Sequence, residues 1–126
     1  MDAGRDWEIA LHALTAKLLG IAKGLLNLGG EHNPGCDIWP QEGYEELFPF
    51  SVEAKHQGRV RFYAAMDQAR RNCKEGLWPL VVARSDCQTL ACLDYDLFLA
   101  MVKVLWKQDG WHEQVQEKLE WIRRQK

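Results

Sequence analysis

Asp37, Glu53 and Lys55 are the residues of this chain whose types and spacing suit a chemical reaction. Asp37 follows Gly35-Cys36, and after a polar connection Glu53 and Lys55 alternate in Val52-Glu53-Ala54-Lys55. Carboxylates are hard oxygen donors, and Mg²⁺ needs only one or two of them from rigid elements because it keeps several waters. Hydrolysis of a phosphodiester demands an activated water, neutralisation of a crowded phosphate and help for the leaving oxygen. Lys55, two residues beyond Glu53, would project from the same side of a strand and orient that water or stabilise charge on the phosphate. The same residues admit plainer roles. Asp37 could cap a turn at Asn33-Pro34-Gly35, and Glu53 and Lys55 could form an ion pair of little worth.

The elements that would position these residues read as follows. Trp7, Ala10, Leu11, Leu14 and Leu18 recur at spacings of three and four, predicting a helix over 6–19 with one buried face. Residues 20–35 hold Gly24, Gly29, Gly30 and the Asn33-Pro34-Gly35 turn, which predicts a loop with at most a short strand or helical turn. Residues 36–39 read as a short strand ended by Pro40, with a polar hairpin connection through Gly43. In 48–55, Phe48, Phe50, Val52 and Ala54 share one face and Ser51, Glu53 and Lys55 the other. Helical spacing returns through Phe62, Ala65, Met66, Ala69 and Cys73 and ends at Gly76. The apolar run 77–83 has the length of a strand covered on both faces. A further strand over 88–93, a helix from Asp94 through Leu105 and an amphipathic helix over 111–124 complete the order. The sum is an α/β sandwich around a mixed four-stranded sheet.

Composition bounds the reading. A chain of 126 residues with 47% hydrophobic and 27% charged residues fits one globular domain. No apolar run is long enough for a membrane span and no leader is evident, so a cytoplasmic protein is expected. Cys36, Cys73, Cys87 and Cys92 lack disulfide-framework or zinc-finger spacing and read as reduced thiols. A net charge of −2 confines any nucleic-acid surface to a local patch. The segment 55–74 supplies one, with Lys55, Arg59, Arg61, Arg70, Arg71 and Lys74 against Asp67 alone. Such cations hold phosphates by charge-assisted bonds, or else simply solvate a helix end. Trp106, Trp111 and Trp121 read as packing residues.

The arrangement Gly35-Cys36-Asp37, hairpin, Val52-Glu53-Ala54-Lys55, then a helix with Gln68, resembles the PD-(D/E)XK nuclease motif. Within that superfamily it is most similar to archaeal and phage-type Holliday junction resolvases. Gly4-Arg5-Asp6-Trp7-Glu8 is similar to the family's Gly-x-x-x-Glu in the first helix, and the likeness covers roughly residues 4–102. Cys36 stands where the family has proline. The resemblance implies a restriction-endonuclease-like core with an extra C-terminal helix, together making one nuclease domain over 1–126. It implies Mg²⁺ or Mn²⁺ bound by Asp37, Glu53 and the carbonyl of Ala54, with Lys55 positioning the attacking water, Glu8 supporting the metal site and Gln68 contributing. Arg5, His56, Arg59, Arg61, Arg70, Arg71 and Lys74 are then the candidate DNA contacts. It further implies branched DNA as substrate, a symmetric homodimer and a phage or prophage-like source acting in the bacterial cytoplasm. Two other readings stay open: a restriction-like or repair nuclease on duplex or ends, and a DNA-binding module that keeps the fold without catalysis.

Overall fold

The strand that carries Glu53 and Lys55 lies in the middle of the sheet. The structure is a computed structural model that describes residues 3–30, 35–56, 59–85 and 88–126. These form two compact units, 1–93 and 94–126. The first holds helix α1 (Ala3–Leu19), a short 3₁₀ turn (Lys23–Leu25), strands β1 (Leu26–Leu28), β2 (Ile38–Pro40) and β3 (Phe50–His56), helix α2 (Phe62–Arg71), and strands β4 (Trp78–Arg84) and β5 (Thr89–Cys92). The sheet has the order β1-β2-β3-β4-β5, with β3 and β4 parallel and the other neighbours antiparallel.

Alternation along the strands sends successive side chains to opposite faces, and each face is covered by one helix. On one side Trp7, Leu11 and Ala16 of α1 pack with Leu26, Ile38, Val52 and Leu80. On the other, Ala65, Met66 and Ala69 of α2 pack on Val81. Full burial of a side chain such as Ile38 or Val52 stabilises the fold by roughly 1.5–3 kcal/mol. The expectation that 77–83 is covered on both faces agrees with buried Leu80, Val81 and Ala83.

The sheet has five strands, not four. The additional strand is β1, which the glycines around it disguise as loop. Its structure comes from pairing at a distance, Leu26 with Pro40, Asn27 with Trp39 and Leu28 with Ile38. Helix α1 secures it at both ends, where His12 Nε2 donates to the Leu26 carbonyl at 2.8 Å and Arg5 donates to the Gly29 carbonyl at 2.6 Å. Pro40 is the last residue of β2 and pairs with Leu26 of β1. This costs little because β2 meets β3 only at Ile38, opposite Val52, so no ladder bond to β3 is required at Pro40. Helix α1 begins at Ala3, three residues earlier than expected. Ala10 is exposed and Ala16 takes a place in the core instead.

The second unit, 94–126, holds helices α3 (Tyr95–Leu105) and α4 (Trp111–Arg124). The first unit closes at Leu93, short of residue 102 where the nuclease-like core was expected to end. Asp94 occupies the N-cap position of α3, its carbonyl accepting the Phe98 N–H. Trp106 and Trp121 are exposed. No helix of the described residues is long and apolar enough to cross a membrane.

One glycine controls how closely β1 approaches the residue before β2. Gly29 donates its N–H to the Asp37 carbonyl at 2.8 Å, and a Cβ there would stand 2.7 Å from the Cys36 carbonyl oxygen. Overpacking of this kind costs about 1–3 kcal/mol. Gly29→Ala is therefore expected to lower unfolding free energy in urea by that amount and to disturb Asp37. At Gly24 a Cβ meets nothing within 4 Å, so Gly24→Ala should change stability by less than about 0.5 kcal/mol.

Candidate active site

Asp37 is fixed before its side chain is considered. Its N–H donates to the Val52 carbonyl at 2.8 Å and its own carbonyl accepts from Gly29. Ile38 faces Val52 in the antiparallel pair of β2 and β3, and Asp37, just before β2, stands close enough to Glu53 for the charge of Glu53 to act on it. The Ala54 N–H donates to Asp37 Oδ2 at 2.8 Å and turns the carboxylate toward β3. Asp37 and Glu53, both named from the sequence, thus lie near one another.

Glu53 is buried, with 2% of its surface exposed, and a buried carboxylate requires donors. Asn72, the residue that ends α2, supplies one from Nδ2 to Glu53 Oε1 at 2.9 Å. One turn earlier on the same helix, Gln68 Oε1 accepts from Lys55 Nζ at 2.6 Å. Gln68 and Asn72 are four residues apart, so both face β3. Asn72 was missed by sequence reasoning. The signal that points to it is its position one turn beyond Gln68, at the helix end that β3 passes.

Electrostatics gathers a third acid. Asp37 is pushed up to about 7, first by burial, then by the negative charges of Glu53 and Glu8 and a hydrogen bond with the Glu8 carboxyl, against the lowering effect of the Ala54 N–H. Burial also raises Glu53, with Glu8 adding to the rise, while Asn72, Lys55 and Arg71 oppose it. Glu8 itself is paired with Arg5 at 3.1 Å. The two adjoining thiols, Cys36 and Cys73, are raised by burial, and both interact with the Ser51 hydroxyl. Cys36, Cys73 and Cys92 are free thiols, while Cys87 lies outside the described residues.

The expected DNA contacts do not form one patch. Lys55, Arg59 and Arg61 line a cleft of about 270 Å³ beside the first turn of α2. Arg71 is close enough to act on Glu53, and Arg70 pairs with Asp67 at 3.4 Å. Lys74 sits over the Trp39 ring, 4.5 Å from its centre, in a different cleft that Glu42, Glu45 and Glu75 also line. Arg5 is engaged within the fold by Glu8 and the Gly29 carbonyl. His56 is exposed, its ring 6.4 Å from that of Trp7. The Arg84 guanidinium lies over the Trp7 ring, and the buried Trp7 indole N–H has no partner among the described residues.

Among the described residues no three His, Cys, Asp or Glu side chains are gathered tightly enough to hold a metal ion by themselves. The donor set nevertheless suits a hard divalent cation, which takes one or two carboxylates and completes its shell with water. Asp37 and Glu53 are the pair that would hold it. Burial is the largest cause of the raised proton affinity of both acids, and the charge of Glu8 adds to each. No family model matches the chain, and neither a curated protein nor a solved structure matches it.

This electrostatics fixes a pH dependence. A folded-state value near 7 for Asp37 against about 3.9 in the unfolded chain means the folded state binds more protons between those limits, so stability falls as pH rises through that window. In EDTA, wild type should melt several degrees lower at pH 8 than at pH 5.5, and Asp37→Asn should remove most of the difference. Millimolar Mg²⁺ or Mn²⁺ should raise the melting temperature of wild type at pH 8 and leave Asp37→Asn unmoved.

Proposed function

We propose that the chain is a divalent-metal-dependent endonuclease of the PD-(D/E)XK type that hydrolyses DNA phosphodiesters. The observation that carries this reading is the reach of the Asp37 carboxylate to the Ala54 N–H, beside Glu53, with Lys55 on the Glu53 side of the same strand. An ion pair of Glu53 with Lys55 does not account for the arrangement, and Asn33 and Pro34 of the turn that Asp37 could cap lie outside the described residues. The partner of Lys55 is Gln68 and that of Glu53 is Asn72, while Asp37 reaches across to β3.

Asp37, Glu53 and the carbonyl of Ala54 would hold Mg²⁺ or Mn²⁺, with Glu8 supporting Asp37. The cation would neutralise charge on the phosphate and acidify a water. The chain's own groups do the rest. The Ala54 N–H keeps Asp37 aimed at β3, and Asn72 holds Glu53 in one rotamer. Gln68 steadies the Lys55 ammonium, which orients the attacking water and offsets charge as the water oxygen bonds to phosphorus and the bond to the leaving oxygen breaks. The resemblance to Holliday junction resolvases supports branched DNA as substrate and a homodimer that makes paired cuts. The extra C-terminal segment, 94–126, is then an addition to the nuclease core.

The reading is tested with a synthetic four-way junction and a matched linear duplex in Mg²⁺. Wild type should cut the junction in preference to the duplex. Asp37→Asn, Glu53→Gln and Lys55→Ala should each lower cutting at least about 100-fold, in line with removal of an electrostatic or metal-holding group, with folding intact by circular dichroism. Equal cutting of both substrates would exclude junction specificity, and metal-independent behaviour unchanged in Glu53→Gln would exclude catalysis at this site. Asn72→Ala should weaken metal affinity about 10-fold or more, the usual effect of losing a group that orients a ligand. Excess Mg²⁺ should restore its cutting, whereas it should not restore Glu53→Gln.

A further inference from the structure

The cleft of about 270 Å³ beside the start of α2 is lined by Lys55, Arg59 and Arg61, and by no acid. Among the described residues neither arginine is paired with a carboxylate, and both are exposed. Ala64 and Ala65 complete part of its wall from the first turn of α2. There the helix dipole adds to the positive field of the side chains. Three cations around a concavity several times the roughly 30 Å³ share of one water call for an anion, and guanidinium forks match the oxygens of a phosphate.

Lys55 ties this cleft to the carboxylates. It lines the cleft and also stands two residues from Glu53 on the same side of β3, about 6.6 Å along the strand. An anion seated on Arg59 and Arg61 therefore lies beside Lys55, the residue that joins the cleft to the strand carrying Glu53. From this geometry we propose that the cleft is a phosphodiester subsite. Arg59 and Arg61 grip the non-bridging oxygens of a phosphate next in line to the one held at Asp37 and Glu53, so the cut strand runs along β3 past the N-terminus of α2. This rests on the nuclease reading and adds the path of the strand to it.

The test separates binding from cutting. Binding of a fluorescent oligothymidylate is measured by anisotropy in EDTA over a range of salt, for wild type, Arg59→Ala/Arg61→Ala, Arg59→Lys/Arg61→Lys and the α4 control Arg123→Ala/Arg124→Ala. The alanine pair should bind about 10-fold or more weakly and lose roughly 0.7 from the slope of log affinity against log salt, at about 0.7 per phosphate contact for single strands. The lysine pair should keep most of the slope but not all of the affinity, and the α4 control should match wild type. Unchanged affinity and slope in the alanine pair would overturn the proposal. So would loss of inorganic phosphate binding with oligothymidylate binding intact, which marks a free-anion site. Cutting is scored in parallel. Unchanged binding together with Asp37-dependent cutting defeats the subsite alone, whereas arginine-dependent binding by a wild type that cuts nothing defeats the nuclease reading alone.

Discussion

The first unit depends on two acids being held close together, Asp37 just before β2 and Glu53 within β3. Asp37 is bonded three ways, through its N–H to Val52, its carbonyl to Gly29 and its carboxylate to the Ala54 N–H. That network sets it near a buried glutamate, which accepts a hydrogen bond from Asn72. Water would separate and solvate such charges. Here the backbone of three strands fixes them, and each raises the proton affinity of the site.

The arrangement opposes stability, since burying like charges costs free energy that hydrophobic burial elsewhere must offset. The two helices supply that burial from opposite faces and also supply the polar groups that make the site tolerable. Helix α1 brings Glu8 with its own counter-ion, Arg5. Helix α2 brings Gln68 and Asn72 on one stripe and ends where Glu53 needs a donor. Folding and site assembly are thus one event.

Much of this was legible in the sequence because it rests on local periodicity. The alternation over 48–55 placed Ser51, Glu53 and Lys55 on one side, where Lys55 meets Gln68, Glu53 meets Asn72 at the end of α2, and Ser51 accepts from the Lys74 N–H beyond it. Helical spacing revealed α1 and α2, and the apolar run 77–83 revealed a strand covered on both faces. What local pattern could not convey came from contacts at a distance. Strand β1 is made by its partner β2 and pinned by Arg5 and His12, so its flanking glycines read as loop. Asn72 becomes informative only when α2 lies against β3. The basic segment 55–74 read as one patch along the chain, but the helix and turn within it send Lys55, Arg59 and Arg61 to one cleft and Lys74 to another beside Trp39. Nothing in a run of charges says which of them folding will bring together.

The most direct measurement is a crystal of the protein soaked in Mn²⁺, with data collected at the manganese absorption edge. An anomalous peak within coordination distance of both the Asp37 and Glu53 carboxylates, absent from a crystal of Asp37→Asn, is the expected result. Full occupancy of Mn²⁺ elsewhere with no peak between these two side chains would contradict the claim that they share a cation.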